Sequence, residues 1–115
     1  GRDDAMIKTS GNRVSPTEVE EAAQSLPSIL EAVAFGVPDA RLGAAIILIV
    51  RGKSGRGSAE DQAELTMHLK QILPNFMQPQ QIIWQESLPR NPNGKLDRTQ
   101  ISAAWAEQHS AGGNL

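Results

Sequence analysis

Leu88 to Arg98 reads LPRNPNGKLDR, and Lys95 is the residue in it best suited to chemistry. Asn93-Gly94 favours a tight turn with positive φ. Pro89 and Pro92 stiffen the approach and remove backbone donors. A lysine held at the tip of such a turn keeps its ammonium in a defined place, which suits a cation set against a phosphate or a carboxylate. Taken alone, the segment is read most simply as a surface turn with a solvated lysine. It is not a phosphate-binding P-loop, which needs Gly-x4-Gly-Lys-Ser/Thr. Here Pro89 holds the first glycine position and Leu96 follows the lysine.

Other reactive side chains offer less. There are no cysteines, so disulfides, thiolate metal sites and thiol nucleophiles are excluded. His68 falls inside an amphipathic stretch and His109 near the end, neither at metal-ligand spacing to a partner, and no metal site is expected. Glu18, Glu20 and Glu21 read as a helix start and its solvated face. Trp84 and Trp105 read as core or core-edge packing, not stacking platforms.

The elements that must position Lys95 follow from local pattern. Thr9-Ser10-Gly11-Asn12 is a turn tetrad between Ala5–Lys8 and Arg13–Ser15, which predicts a short hairpin. Ser15-Pro16-Thr17-Glu18 predicts a helix start, with Ser15 as cap, Pro16 in the first turn and Glu18 completing a capping box, a cap contributing roughly 1 kcal/mol. Val19, Ala22 and Ala23 give that helix its apolar stripe. Ile29–Val37 and Ala44–Arg51 are rich in β-branched residues and predict two central strands of an antiparallel sheet. Gly52 to Gly57 reads as a flexible loop. Ser58 caps a second helix with Leu65, Leu69, Ile72 and Leu73 as its buried stripe. Gln81–Gln85 is a third strand, and Thr99–Gln108 a last helix bearing Ile101 and Trp105. The expectation is an α+β domain: helices on a small antiparallel or mixed three-stranded sheet, plus an N-terminal two-stranded hairpin. Residues 1–108 form the domain, and 109–115 are expected to be a disordered tail.

At 115 residues there is room for one modest core. A net charge of −2 gives no general attraction to nucleic acid. The apolar run Ala44–Val50 is far too short to span a membrane. These features agree with a cytoplasmic protein. The first methionine is Met6 and the chain opens inside a motif, so it reads as a piece of a longer polypeptide.

That opening is GRDDAMIKTSGNRVSPTEVEE. With its Gly-Arg-x-Asp…Lys…Gly-x-Arg-Val…Pro…Glu-Val-Glu pattern, followed far downstream by the Pro-x4-Gly-Lys of Pro89 to Lys95, the chain resembles the C-terminal domain of the adenylate-forming acyl-CoA synthetase superfamily. The resemblance covers Gly1 to about Ala104. It implies a mobile lid domain serving two reactions. A carboxylate and ATP, with Mg2+, give an acyl-adenylate and pyrophosphate; a thiol of coenzyme A or of a carrier protein then takes the acyl group and releases AMP.

The resemblance also implies roles at matching positions. Lys95 matches the lysine lying between the attacking carboxylate and the α-phosphate during adenylation. Asp4 matches the hinge, although Asp3 precedes it and Ala5 stands where many relatives carry a polar residue. Arg2 matches an arginine on the nucleotide ribose, and Arg13 one that reaches the AMP phosphate in the thioester-forming pose. Gly11 matches the glycine beside the pantetheine tunnel, and Lys8 lies on the same presented face. The phosphate loop and acyl pocket have no counterpart here and belong to an N-terminal AMP-binding domain of the same polypeptide. ATP, Mg2+ and coenzyme A are therefore expected to be held mainly by that domain, and the isolated chain to be inactive.

The reading is the lid of an AMP-forming acyl-CoA ligase acting on a small-molecule carboxylate. One alternative is the end of an adenylation domain that loads a carrier protein; the other is a stand-alone, non-catalytic module that binds a nucleotide or partner. An exposed lysine in this context is also what protein acetyltransferases recognise in related enzymes, which makes Lys95 a candidate for acetylation.

Overall fold

A computed structural model of the chain describes residues 6–41, 43–53 and 57–113, with side chains as far as Glu107. Two extended segments, β1 (Ile7–Thr9) and β2 (Asn12–Val14), pair antiparallel with Lys8 opposite Arg13. Ser10 and Gly11 form the connection at φ 54° and 79°, a two-residue turn whose twist matches that of the strands. Alternation buries Ile7, Thr9 and Val14 and leaves Lys8 and Arg13 exposed.

Helix α1 (Pro16–Gln24) buries Pro16, Val19, Ala22 and Ala23. Ser15 takes the cap position, but its side chain makes no capping bond. The expected Ser15–Glu18 capping box is absent: the Ser15 carbonyl accepts from the Glu18 and Val19 amides instead, and Pro16 removes one donor that would otherwise need a partner.

The sheet is β3 (Ile29–Asp39), β4 (Gly43–Gly52) and β5 (Gln81–Trp84), in the order β3-β4-β5. It is mixed: β4 runs antiparallel to β3 and parallel to β5. Only β4 is central; β3, expected beside it as a second central strand, is an edge. The parallel pair follows from helix α2 (Ala59–Ile72), which carries the chain back over the sheet between β4 and β5. Ser58 and Asp61 cap α2 reciprocally. Of its expected apolar stripe, Leu65 and Leu69 are fully buried, whereas Ile72 is 47% exposed. The helix stops there, and Gln78 Nε2 donates to the carbonyl of Leu73 and to that of Leu69, which also accepts from the Leu73 amide.

Both faces of the sheet are covered, which is why Ile46–Val50 is a continuous apolar run. On one side Ile46, Leu48 and Val50 meet α1, α2 and the hairpin through Val19, Ala23, Leu65 and Ile7. On the other, Val33, Phe35, Ile47 and Ile49 meet Leu88 and helix α3 (Arg98–Gly113) through Ile101 and Trp105. Both tryptophans pack at the edges of these two cores. Trp84 Nε1 also donates to Gln62 Oε1 at 2.7 Å. The backbone of α3 stays helical past His109, where a tail was expected. Truncating Leu48 or Leu65 to alanine would cost ~2–5 kcal/mol.

Candidate functional site

Lys95 sits on the loop between the sheet and α3. Arg90 and Leu96 pair across its stem, and the Asn91 amide donates to the Lys95 carbonyl at 2.8 Å. Between them Pro92, Asn93 and Gly94 make the bend. Only Gly94 has positive φ, at 83°. The connection is thus a tight turn closed by one left-handed glycine, and the positive φ expected of the Asn93-Gly94 pair falls on Gly94. Pro92-Asn93 forms the tip, and Lys95 lies on the returning strand just past it.

Asn91 organises the bend. Its Oδ1 accepts from the Asn93 amide at 2.9 Å and from the Lys95 amide at 3.1 Å, and its carbonyl accepts from the Gly94 amide at 2.9 Å. Both backbone polar groups of Lys95 are therefore bound to Asn91. The Lys95 side chain is exposed and, among the described residues, makes no ion pair. A fixed root with an unpartnered ammonium is the geometry for meeting an incoming anion.

The loop is anchored on both sides. Leu88 is buried, and Leu96 packs partly against the core that contains it. Arg90 donates to the Gly94 carbonyl at 2.9 Å and ion-pairs with Glu31 of β3. Downstream, Asp97 caps α3 through its Oδ1 to the Gln100 amide at 3.0 Å. Arg98 forms a forked bond to Glu20 of α1 at 2.8 Å, and Glu20 also accepts from the Ala34 amide at 2.8 Å. Glu20 was expected on a solvated face; it instead joins α1, β3 and α3. Asn91, Arg90 and Glu31 were not singled out from sequence, and Glu20 was read only as part of that solvated face. Asn91-Pro92-Asn93-Gly94 carries the signal for the first, since Asn bonds its own downstream backbone and Pro favours the second turn position. The others depend on contacts distant in sequence.

The second group lies on the β1–β2 hairpin. Lys8 and Arg13 face each other across it, exposed, and Gly11 is at its tip with nothing among the described residues within 4 Å of where a Cβ would stand. The hairpin thus brings Lys8, Gly11 and Arg13 together, while Lys95 is carried separately. Lys8 and Arg98 both line an open groove of about 460 Å³ beside Phe35 and Val37. Arg2 and Asp4 lie outside the described residues. His68 Nε2 lies 2.7 Å from Ser25 Oγ, a link between α2 and α1. Among the described residues, no group of three or more His, Cys, Asp or Glu side chains could hold a metal ion, and no helix is long and apolar enough to cross a membrane.

Comparison with known proteins gives these arrangements a setting. A family model described as the AMP-binding enzyme C-terminal domain matches residues 18–95. The chain is 35% identical over 114 residues to a linear gramicidin synthase of Brevibacillus parabrevis, covering 98% of this chain and 2% of that protein. It is 37% identical over 109 residues to the acyl-CoA synthetase ALT10 of Alternaria alternata, covering 93% of this chain and 19% of that one. Among solved structures, the acyl-CoA synthetase of Brucella canis superposes with a TM-score of 0.83 at 34% identity, over 95% of this chain and 20% of that one. The chain thus spans a fifth or less of the length of each of these three proteins.

Proposed function

The chain belongs to the C-terminal domain family of AMP-binding enzymes, and from that premise we propose that it is the mobile small domain of a cytoplasmic AMP-forming acyl-CoA ligase. It works against a larger AMP-binding domain of the same polypeptide, which holds most of the ATP, the carboxylate and the coenzyme A. ATP brings magnesium with it, and no ligand set for that ion is assigned to this chain.

Lys95 serves the first half-reaction. A carboxylate oxygen attacks the α-phosphorus of ATP, the P–O bond to the leaving group breaks, and pyrophosphate departs. Two anions must approach, and negative charge builds on the phosphoryl oxygens. The Lys95 ammonium, rooted through Asn91, offsets both and holds the carboxylate in line. The hairpin serves the second. The domain swings about Asp4, and the thiol attacks the acyl carbon of the adenylate, releasing AMP. Arg13 then faces the AMP phosphate and Arg2 the ribose. Gly11, with Lys8 nearby, leaves a passage that a side chain would obstruct.

The observation that carries this reading is the Lys95 geometry: both backbone groups bound, the side chain exposed and unpaired among the described residues. The test is to supply the complete polypeptide with ATP, coenzyme A and a panel of carboxylates. Formation of AMP and an acyl-CoA is expected. No AMP with any carboxylate would overturn the reading, as would pyrophosphate exchange by the 115-residue chain alone. The likeness to the linear gramicidin synthase favours a second reading, in which the acceptor is a carrier protein; acyl transfer to a phosphopantetheine carrier but not to coenzyme A would select it.

A further inference from the structure

We infer that Arg90, held by Glu31, is a positioning residue for Lys95: it ties the loop to the sheet so that the ammonium arrives at a fixed point during adenylation. The inference rests on the reading of Lys95 given above.

Ile29 pairs with Gly52 and Glu31 with Arg51, so Leu30 is one residue too many for its partner strand. A bulge of this kind changes which face the following residues present. Ile29 belongs to the core under α1 and α2 with Ala32 and Ala34, whereas Val33 and Phe35 belong to the core under α3. Without the bulge, strict alternation would give Ile29 and Glu31 the same face. With it, Ile29 stays in the first core while Glu31 joins the face of Val33 and Phe35. That is the face on which Leu88 and Leu96, the two ends of the Lys95 loop, are packed.

Glu31 is well placed as an anchor. Its side chain is only 12% exposed and is held by two cations, one oxygen by Arg51 Nε at 2.8 Å and the other by Arg90. Arg51 is its cross-strand partner in β4 and fixes its direction. Arg90 uses Nη2 for Glu31 and donates from Nη1 to the Gly94 carbonyl at 2.9 Å. One planar fork therefore reaches the residue immediately before Lys95 and a carboxylate rooted in the sheet. The Asn91 bonds shape the bend from within; Arg90 fixes that bend relative to the rest of the domain.

Replacing Arg90, itself 44% exposed, leaves Glu31 paired with Arg51, so its loss should cost little global stability. Its effect should show in the position of the loop and hardly in melting. Misplacing a reacting group by about an ångström can cost on the order of a hundredfold in rate.

The test uses the complete polypeptide with Arg90→Met, Arg90→Lys and Lys95→Ala. The readouts are pyrophosphate exchange, thioester formation from pre-made acyl-adenylate, and amide hydrogen exchange of the segment 90–97. Arg90→Met is expected to speed exchange in 90–97 and to lower the adenylation kcat roughly tenfold or more. The KM for ATP, the thioester step and the melting temperature should stay unchanged. Arg90→Lys, which keeps the charge towards Glu31 but loses the fork, should recover part of the rate. Unchanged exchange in 90–97 would overturn the inference, as would an equal fall in both half-reactions. So would a loosened loop with normal adenylation, provided Lys95→Ala abolishes adenylation. If Lys95→Ala also leaves adenylation intact, the role given to Lys95 fails, while a loosened loop would still show that Arg90 orders it.

Discussion

Glu20 on α1 and Arg98 at the start of α3, 78 residues apart in sequence, meet through a forked bond of 2.8 Å. The same carboxylate accepts from the Ala34 amide in β3. One side chain thus joins three elements, and the helix it anchors begins three residues after Lys95.

Replacing Glu20 with alanine should leave the Ala34 amide and the Arg98 guanidinium without their acceptor. Unpaired buried polar groups are costly. With Glu20 12% and Arg98 34% exposed, the expected loss is about 2 kcal/mol. Urea unfolding of the chain measures it. Glu20→Gln should lose less, because its amide oxygen still serves the Ala34 amide. Equal midpoints for wild type and Glu20→Ala would contradict the role.

These cases show what was legible in the sequence. The element order was, because each element carries a local signal: the Ser10-Gly11 turn, the Pro16 start, the β-branched run of β4 and the Ser58 cap. The N-terminal hairpin and the small sheet followed directly. The parallel pairing of β5 and the edge position of β3 did not, since strand neighbours are set by packing over long sequence distances. Lys95 stood out because its loop motif is local. Glu20, Glu31 and Arg90 did not, because a charged residue on a helix start or a strand looks solvated until its distant partner is known. Ser15 erred in the other direction: its motif predicted a capping box, but backbone bonding and Pro16 met the need.

Gly11 gives a prediction for the second half-reaction. In the complete polypeptide, Gly11→Leu should slow thioester formation and largely spare adenylation. A Cβ at this position meets nothing within 4 Å among the described residues, so the proposed block is one against the thiol path in the other domain. Its φ of 79° adds a strain of roughly 1–2 kcal/mol for a residue with a side chain. Gly11→Asn, which tolerates that conformation better, separates strain from obstruction when both variants are compared by melting and by thioester rate. Normal thioester formation in a folded Gly11→Leu enzyme would rule out the passage.

Acetylation of Lys95 should act as a reversible switch. It removes the positive charge and adds bulk where the α-phosphate must approach. The side chain is exposed and makes no ion pair among the described residues, so folding should not suffer. With acetyl-lysine installed at position 95 of the complete polypeptide, adenylation should vanish, thioester formation should persist and the melting temperature should hold. Retained adenylation, or a large drop in melting temperature, would each count against this.

The most direct measurement compares the two half-reactions in Lys95→Ala. Losing one preorganised charge contact costs ~3 kcal/mol, or roughly a hundredfold in rate. Pyrophosphate exchange should fall by about that factor, while thioester formation from pre-made acyl-adenylate stays near the wild-type rate. Adenylation at the wild-type rate, or an equal loss in both half-reactions, would contradict the assignment of Lys95 to the first reaction alone.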